Sequence, residues 1–431
     1  MKILLVNPCL PYPYSKGEYT YNRIWPPLCL ANCAALLEKE GHKVKIFDAH
    51  ARRTAAEKIV NYIGGYDKIF ITSSPLDRWQ CPNINISPFL ETVRRIGDAH
   101  EEVYIMGYHG TAESEKILRL TKAKAVIRGE PEETVLEICR NAELTQIKGV
   151  TFFNGENISF NLAREPLGMK TLPVPAFHLL DFRKYSYEIL GDRFSLFEIS
   201  RGCYSKCIFC NKIMYGDRVR SKSKEQVLEE ITLAVESYGV RTGYFMDLDF
   251  LSCKEIVEQI CDYLIKKEYR FRWACQTRAD LLDIGILNKM KAAGCRIIHL
   301  GIEAVRQEPL DYLNKNITVE EIERAVKLCK KSGIMTLAFF LFGLPNETDE
   351  DRRNALRHIK ALNFDFVSFH GITPYKGAGL CCDRVESSAV VDKFIHHAFI
   401  EYYLRPSRLL CLDLSLTSKS IKLLYGRIKS L

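Results

Sequence analysis

The sequence predicts an α/β protein, in which a doubly wound parallel sheet is followed by a partial (β/α)6 barrel and a C-terminal helical segment. Short apolar runs alternate with amphipathic helical segments along most of the chain, and continuously apolar runs are typical of parallel strands that helices cover on both faces. The chain has 431 residues, which is longer than a single hydrophobic core usually grows. More than one domain is therefore expected.

The first domain is predicted to span residues 1–145. Its strand segments are KILLVNP, KVKIFDA, KIFITSS, VYIMG and AVIRG, and helical patterns such as LCLANCAALLEKEG separate them. This alternation suits a doubly wound domain of flavodoxin type, whose ligand crevice lies beyond the carboxyl ends of the strands. The residues expected at those ends are Asn7, Asp48, Ser73, Ser74, Gly107, His109, Gly129 and Glu130.

Residues 146–190 are predicted to form a hairpin and a linker. GVTFFNGENISF is interpreted as a hairpin that turns at Asn154-Gly155, and an extended stretch with prolines follows it. The second domain, residues 191–380, has strand segments at FSLFEIS, TGYFMD, FRWACQT, RIIHLG, TLAFFLFG and FVSFHGIT. Six strand–helix units are too few for a closed eight-stranded barrel, so a partial barrel with its working face at the strand carboxyl ends is predicted.

Residues 381–431 are predicted to form a helical segment that ends in the basic and apolar sequence IKLLYGRIKSL. This end either contacts a membrane surface peripherally or packs as a helix on the barrel. The net charge of +8 is spread along the chain without a basic run, which argues against nucleic-acid binding. Because no apolar stretch suits a membrane span or a signal peptide, we expect a cytoplasmic protein with reduced thiols.

The clearest chemical signal lies directly after the first barrel strand. In SRGCYSKCIFCNK, Cys203, Cys207 and Cys210 have the spacing C-x3-C-x2-C within one loop. Thiols at this spacing can converge on one soft metal centre. Structural zinc takes four protein ligands, and this loop has no fourth Cys or His. A site with one open coordination position is therefore favoured over zinc binding or a chance cluster of buried cysteines.

These cysteines, with Phe209 directly before the last of them, resemble the signature of the radical S-adenosylmethionine (SAM) superfamily. The resemblance extends over about residues 194–380. It implies that the three thiolates hold a [4Fe-4S] cluster and that the open iron binds SAM. It also implies reductive cleavage of SAM to a 5′-deoxyadenosyl radical, with electrons from an external donor such as flavodoxin or ferredoxin.

The same resemblance assigns SAM contacts to Phe209 and to residues at strand ends. In the cobalamin-associated branch, the residues that correspond to Arg278 and Glu303 contact polar groups of SAM; a guanidinium suits the methionine carboxylate and a carboxylate suits ribose hydroxyls. Asp247 corresponds to an acid near the SAM amino group, although MDLD departs from the usual element and helix capping is an alternative. Gly343 would let the backbone approach adenine closely.

The N-terminal domain resembles the cobalamin-binding domain of one large radical SAM subgroup, in segments such as GYHGTAESE and IRGEPEETVLEI. The resemblance implies cobalamin near Ser73, Ser74, Gly107, His109 and Gly129. The sequence lacks the Asp-x-His-x-x-Gly element that supplies a lower histidine ligand, so base-off cobalamin without that histidine is expected. Some members of this architecture keep the domain without using cobalamin.

The function implied is cobalamin-dependent methylation of an unactivated carbon in a small molecule, a lipid or a peptide. The main alternative is a radical SAM cyclase, rearrangement or oxidation enzyme that transfers no methyl group. A third interpretation is an iron–sulfur sensor without turnover.

Overall fold

The computed structural model describes residues 1–10, 23–380 and 388–405. They group into two units: residues 1–187, 191–202 and 211–241 in the first, and residues 188–190, 203–210 and the described part from Thr242 onward in the second. This grouping divides the chain at other residues than the domain boundaries predicted from the sequence. The segments that flank the cysteine loop group with the first unit, whereas residues 203–210 group with the second.

The strands are β1 Lys2–Asn7, β2 Lys43–Asp48, β3 Lys68–Thr72, β4 Val103–Met106, β5 Ala125–Ile127, β6 Val150–Asn154, β7 Asn157–Phe160, β8 Ser186–Tyr187, β9 Gly191–Asp192, β10 Phe194–Phe197, β11 Ser200–Arg201, β12 Arg220–Ser221, β13 Thr242–Phe245, β14 Arg272–Thr277, β15 Cys295–Glu303, β16 Met335–Phe342 and β17 Phe366–Gly371. The helices are α1 Leu28–Lys39, α2 Ala49–Arg52, α3 Ala56–Ile59, α4 Ser87–Ala99, α5 Tyr108–Ala112, α6 Ser114–Leu120, α7 Glu132–Cys139, α8 Lys224–Thr232, α9 Lys254–Lys267, α10 Ile284–Ala292, α11 Gln307–Tyr312, α12 Val319–Ser332, α13 Asp349–Leu362 and α14 Ser388–Tyr403.

In the first unit, a parallel sheet has the strand order β2-β1-β3-β4-β5, and the antiparallel hairpin β6–β7 extends it past β5. Its five parallel strands are the five apolar runs predicted from the sequence. Side chains such as Val6, Ile71 and Ile105 are fully buried in a core that includes Phe89 and Ile96 of α4. The strand order reverses between β1 and β3, where open α/β sheets bind ligands beyond the carboxyl ends.

The turn of the β6–β7 hairpin differs by one residue from the prediction. Asn154 pairs with Asn157, so the two turn residues are Gly155 and Glu156 rather than Asn154 and Gly155. Gly155 has φ of +63°, a left-handed conformation that costs glycine little. Pairing continues through Asn154 because glycine occupies the first turn position, which requires positive φ in one of the favoured two-residue hairpin turns.

In the second unit, β13 to β17 are parallel and follow one another in chain order. Along β16, buried and half-buried residues alternate, so one face is packed more fully than the other. Capping boxes at Thr318 and Thr348 fix the starts of α12 and α13. The loop between β16 and α13 is short, and strand-end loops carry the active sites of barrel enzymes.

Helix α14 packs beside the last strand and covers part of the predicted C-terminal helical segment. The Tyr403 hydroxyl accepts a hydrogen bond from the Val367 N–H at 2.9 Å and donates one to the Val367 carbonyl at 2.8 Å. The Tyr402 hydroxyl donates to the Phe364 carbonyl at 2.6 Å. The basic sequence IKLLYGRIKSL lies outside the described residues. In the part of the chain that is described, no helix has the length and apolar character needed to cross a membrane.

Candidate active site

The three predicted ligand cysteines lie on a loop after β11, which we call the cysteine loop, residues 203–210. Cys203 is buried, and Cys207 and Cys210 are half-buried. The Ile208 N–H donates to the Leu313 carbonyl at 3.1 Å, and the Asn314 side-chain amide donates to the Lys206 carbonyl at 2.9 Å. These hydrogen bonds hold the loop against the segment that follows α11.

The donor set of the cysteine loop suits an iron–sulfur cluster, because three thiols lie close together in sequence and cluster irons take thiolate ligands. All cysteines in the described ranges are free thiols. Across residues 1–10, 23–380 and 388–405, no group of three or more Cys, His, Asp or Glu side chains is arranged closely enough to hold a metal ion. The fit therefore rests on the chemistry and spacing of the thiols.

Burial and the charges around Cys207 have opposing effects on its ionisation. Burial raises the pKa of the Cys207 thiol, while the cations Lys315 and Arg278 lower it. A nearby positive charge stabilises a thiolate, which is the form that binds metals. The second unit therefore places two cations where they oppose the cost of ionising a partly buried thiol.

Arg278 braces this part of the second unit. It forms a bidentate ion pair with Asp280, with distances of 3.0 Å from Nε to Oδ1 and 3.1 Å from Nη2 to Oδ2. Its other donations go to the Ser205 hydroxyl at 3.3 Å, the Lys315 carbonyl at 3.0 Å and the Asn316 carbonyl at 2.9 Å. All five guanidinium N–H groups thus have protein partners.

The assignment of Arg278 as a contact of SAM polar groups stays a prediction. A guanidinium has five N–H groups, and in this structure each is directed to a protein oxygen, so a bound carboxylate would have to displace one of them. Through Ser205 and the Lys315 carbonyl, Arg278 also ties the cysteine loop to the segment around Lys315.

Glu303 stands at the end of β15 with a strained backbone. Its φ is +67°, and the pairing with β16 skips one residue between Gly301 and Glu303, which is a β-bulge. Bulges re-aim side chains and are frequent next to active sites. The carboxylate is buried, which raises the pKa of Glu303, and Lys315 opposes that rise. Glu303, the acid predicted from the sequence, therefore has a left-handed backbone conformation at the end of β15.

Lys315 is a residue that the sequence reasoning missed. Its ammonium lies 3.3 Å from a Glu303 carboxylate oxygen and 5.7 Å from the centre of the Phe209 ring. The neighbours Asn314 and Asn316 have φ of 52° and 51°, respectively. Asparagine is one of the few residues that visit this left-handed region readily, so the Asn-Lys-Asn pattern was an available signal for an unusual backbone. It gave no indication of which residues Lys315 would meet.

Phe209 packs in a small apolar cluster with Leu313, Leu344, Ile372 and Leu380. The predicted SAM-site residue is thus also part of the core beneath the strand-end loops. Its ring provides an apolar surface beside the ammonium of Lys315, where a cation can interact with the ring face.

The segment after β13 contains two buried acids, Asp247 and Asp249. Asp249 accepts hydrogen bonds from the Thr277 hydroxyl at 2.7 Å and from the Ser252 hydroxyl at 2.9 Å. It also accepts from the Arg278 N–H at 3.3 Å, so it organises the end of β14. The prediction that Asp247 meets the SAM amino group stays a prediction.

Gly343 has φ of +86° and its N–H donates to the Glu347 carboxylate at 2.6 Å. A Cβ at this position would lie 3.0 Å from a methyl group of Val391 in α14. Glycine is therefore required by the left-handed backbone and by close packing of α14. The predicted approach of adenine to Gly343 stays a prediction.

A small cleft lies beside these strand ends. Its lining includes Glu303, Arg306, Leu341, Glu347 and Asp351, of which Arg306 and Asp351 form an ion pair at 2.7 Å. Acidic and apolar groups therefore border the same space.

Below these ends, Tyr244 and His299 form a buried pair that the sequence did not reveal. The Tyr244 hydroxyl lies 3.0 Å from His299 Nδ1, and the His299 ring contacts Phe339 edge-on at 5.6 Å between centroids. The three residues come from β13, β15 and β16, and their proximity depends on strand pairing. No local pattern in the sequence could have indicated it.

In the first unit, several residues near β3 and β4 that were predicted to lie near cobalamin contact one another or their neighbours. The Ser74 hydroxyl accepts the Tyr108 N–H at 2.8 Å, and the Ser73 hydroxyl accepts the His109 N–H at 3.2 Å. Gly107 has φ of +100°, and a Cβ there would lie 3.0 Å from Ser73 Oγ. Both serine hydroxyls therefore hold the start of α5, and their contact with cobalamin stays a prediction.

His109 and Gly129 differ in their surroundings. His109 is buried, and its Nε2 lies 2.8 Å from the Asn83 carbonyl. Burial lowers the pKa of His109, and contacts with Asn83 and Ser73 oppose that change. Gly129 has φ of +80° and open space where a Cβ would project, at the end of β5. The Gly129 N–H donates to the Thr111 hydroxyl at 2.9 Å.

A comparison with protein families finds a match that includes the cysteine loop. Residues 197–359 match the model of the radical SAM superfamily. The chain carries a radical SAM domain. The protein is an enzyme, and the cofactors of a radical SAM domain are a [4Fe-4S] cluster and SAM.

Individual relatives extend the similarity over most of the chain. A protein of Pyrococcus horikoshii named as an uncharacterized methyltransferase is 29% identical, over 95% of this chain and 94% of its own length. The anaerobic magnesium-protoporphyrin IX monomethyl ester cyclase of Rubrivivax gelatinosus is 26% identical, over 94% of this chain and 74% of its own.

Among solved structures, the radical SAM methyltransferase TsrM from Kitasatospora setae, with cobalamin and a [4Fe-4S] cluster bound, matches with a TM-score of 0.69. The sequences are 18% identical, and the match covers 88% of this chain and 74% of TsrM. At this level of identity the similarity establishes a shared fold.

Proposed function

We propose that the protein is a cobalamin-dependent radical SAM methyltransferase that acts on an unactivated carbon. SAM cleavage would supply a 5′-deoxyadenosyl radical, and cobalamin would supply the methyl group. The observation that carries the proposal is the cysteine loop in a radical SAM domain. Burial raises the pKa of Cys207, and Lys315 and Arg278 oppose that rise. A cytoplasmic setting and an external flavodoxin- or ferredoxin-like donor belong to the same proposal.

Cys203, Cys207 and Cys210 would hold the cluster, and Lys315 and Glu303 would bind polar groups of SAM. The Lys315 ammonium has three N–H donors, and Glu303 supplies a carboxylate beside it at 3.3 Å. A carboxylate of SAM matches the cation, and ribose hydroxyls match the anion. In this arrangement Arg278 acts indirectly, by holding the backbone carbonyl of Lys315 at 3.0 Å.

The N-terminal unit supports the cobalamin part of the proposal through its topology and its strand ends. The order of its parallel strands reverses between β1 and β3, and Gly129 at the end of β5 leaves open space for a ligand. The TsrM structure, which shares the fold, contains cobalamin. The proposed substrate is a small molecule, a lipid or a peptide.

The first experiment tests the cluster. Full-length protein is reconstituted anaerobically with iron and sulfide, and visible absorption and 5′-deoxyadenosine formation from SAM are measured after reduction. We expect both signals in the wild type and in the control Cys81→Ala, whose cysteine is exposed. We expect neither in Cys203→Ala/Cys207→Ala/Cys210→Ala. A cluster spectrum retained in the triple variant would contradict the ligand assignment.

The second experiment tests methyl transfer and cobalamin. Protein produced with cobalamin supplied should carry a corrin absorption spectrum. With methyl-labelled SAM and a substrate, the label should appear in the organic product. A repeatedly absent corrin together with an unlabelled product would overturn this proposal.

One observation favours a second candidate, a radical SAM cyclase. The Rubrivivax gelatinosus cyclase is 26% identical over 94% of this chain. For a cyclase, the methyl-label experiment gives a product without label while 5′-deoxyadenosine is still formed. The same experiment therefore separates the two candidates.

A further inference from the structure

The segments before and after the cysteine loop in sequence pair with each other within the first unit and form a base. Strands β11 and β12 pair antiparallel, with Ser200 opposite Ser221 and Arg201 opposite Arg220. Gly202 has φ of +94°, and a Cβ there would lie 2.0 Å from the Arg218 carbonyl oxygen. We call this base, residues 200–202 and 218–221, the loop stem. Its two sides touch so closely that only glycine fits at residue 202.

One carboxylate binds both sides of the loop stem. Glu130 accepts from Arg220 through both oxygens, each at 2.9 Å, and from Arg201 at 3.4 Å. Its Oε2 also accepts the Leu167 N–H at 2.6 Å. Glu130 lies about seventy residues before the stem in sequence, just after β5. The N-terminal sheet thus supplies the group that joins the two stem arginines.

The partners of Arg201 make this arrangement highly specific. Its side chain is fully buried, with hydrogen bonds of 2.9 Å to each Glu198 oxygen and 2.7 Å to Glu132. The Trp79 ring lies 5.2 Å from the guanidinium carbon. Burying several charges is an inefficient way to stabilise a fold, because desolvation offsets most of the attraction. A network of this kind is better explained by the geometry that it enforces.

We propose that Glu130 is a positioning residue for the iron–sulfur cluster. By joining Arg201 and Arg220, it fixes the separation of the two ends from which the cysteine loop starts and returns. The inference rests on the proposed function, since it requires that the loop binds a cluster. It adds a role for the N-terminal sheet that does not depend on cobalamin.

The test compares Glu130→Gln with Glu133→Gln in the full-length chain. Glu133 lies on α7 and is half-exposed, and it pairs with Arg164 at 3.3 Å, away from the stem arginines. After anaerobic reconstitution, iron loss to a chelator is followed over time, and the reduced cluster is examined by electron paramagnetic resonance. Thermal unfolding of the metal-free proteins identifies a temperature at which all variants are folded.

We expect iron loss from Glu130→Gln to be about 10-fold faster than from the wild type, the scale seen when groups that orient metal ligands are changed. We also expect a broadened resonance spectrum, because the cysteine loop samples more geometries. Glu133→Gln should behave as the wild type. Equal iron-loss rates and identical spectra for the two variants, in folded protein, would overturn the proposal.

A second variant covers the case in which Glu130→Gln does not fold. Arg220 is partly exposed, and Arg220→Lys keeps the charge while losing the two-pronged contact with Glu130. Faster iron loss supports the proposal, and a wild-type rate overturns it. If the wild type itself takes up no cluster, the proposed function fails and this inference fails with it. If the wild type binds a cluster and the variants match it, only this inference fails.

Discussion

The ammonium group of Lys315 lies 3.3 Å from the carboxylate of Glu303, and both side chains are more than nine-tenths buried. A buried ion pair is costly to desolvate, and breaking one by removing a single partner is more costly still. Glu303 is also held at φ of +67° by a β-bulge. An unfavourable backbone and a buried ion pair at one strand end indicate that this position is built for a ligand.

We expect Lys315→Met to weaken SAM binding about 10-fold or more, because a hydrogen bond to a charged group contributes about 1.5 to 3 kcal/mol. The free energy of unfolding should also fall by about 3 kcal/mol, since Glu303 keeps a buried charge without its partner. Anaerobic calorimetry on cluster-loaded protein measures the affinity. The control is Lys327→Met, whose lysine is exposed and lies 3.8 Å from Glu323. An unchanged SAM affinity in Lys315→Met would remove Lys315 from the binding site.

Arg278→Lys distinguishes a bracing role from direct SAM binding. Lysine cannot reproduce the bidentate contact with Asp280 and the contacts to two backbone carbonyls. We expect lower iron retention in the variant and little change in the SAM affinity of the loaded fraction. Iron content per chain and calorimetry measure the two effects, with the exposed Arg272→Lys as control. Full iron content with weakened SAM binding would instead support the ligand role predicted from the sequence.

Glu230 should make stability depend on pH near neutrality. Burial raises the pKa of Glu230 to about 7, although Lys222 opposes the rise. The unfolded pKa is about 4.3, so the folded state holds this proton to higher pH. The resulting contribution to stability is fully present below about pH 4 and is lost as the pH rises through about 7.

We therefore expect the wild-type melting temperature to fall as the pH rises from about 4 to about 7 and to level off above that, with a total loss on the order of 3 kcal/mol from this group. Glu230→Gln should flatten that dependence, because it removes the titrating carboxyl. Glu229→Gln, at the exposed neighbouring position, should keep it. Parallel pH profiles for Glu230→Gln and the wild type would show that Glu230 does not titrate in this range.

Gly202→Ala should destabilise the protein more than Gly155→Ala. Both glycines have positive φ, which costs alanine about 1 to 2 kcal/mol. A Cβ at residue 155 meets nothing within 4 Å, whereas at residue 202 it would lie 2.0 Å from the Arg218 carbonyl oxygen. Overpacking should add about 1 to 3 kcal/mol to the cost at residue 202. Equal melting temperatures for the two variants would mean that the loop stem opens easily.

The sequence was sufficient for features that depend on neighbouring residues. Continuous apolar runs predicted β1 to β5 because buried parallel strands leave that pattern, and the spacing of Cys203, Cys207 and Cys210 is local by nature. The prediction of Glu303 as a site residue followed from its motif. Its bulge and its left-handed backbone did not, since both depend on pairing with β16.

Long-range contacts account for what the sequence could not predict. Lys315 meets Glu303 only because the segment after α11 returns to the end of β15, and Glu130 meets Arg201 and Arg220 across distant parts of the first unit. Ser73 and Ser74 were expected to face a ligand because they are hydroxylic strand-end residues. The structure directs both hydroxyls to backbone N–H groups, a use that composition cannot distinguish from ligand binding.

The hydroxyl of Tyr403, which both accepts from and donates to the backbone of Val367, has a consequence for self-association. An outermost strand with unpaired amides is a template on which another chain can add a strand and start an aggregate. At Val367, the Tyr403 hydroxyl occupies the backbone N–H and carbonyl groups with which such an added strand would pair. Removing α14 would therefore expose β17 as an aggregation-prone edge strand. We expect solubility to fall before catalytic activity does.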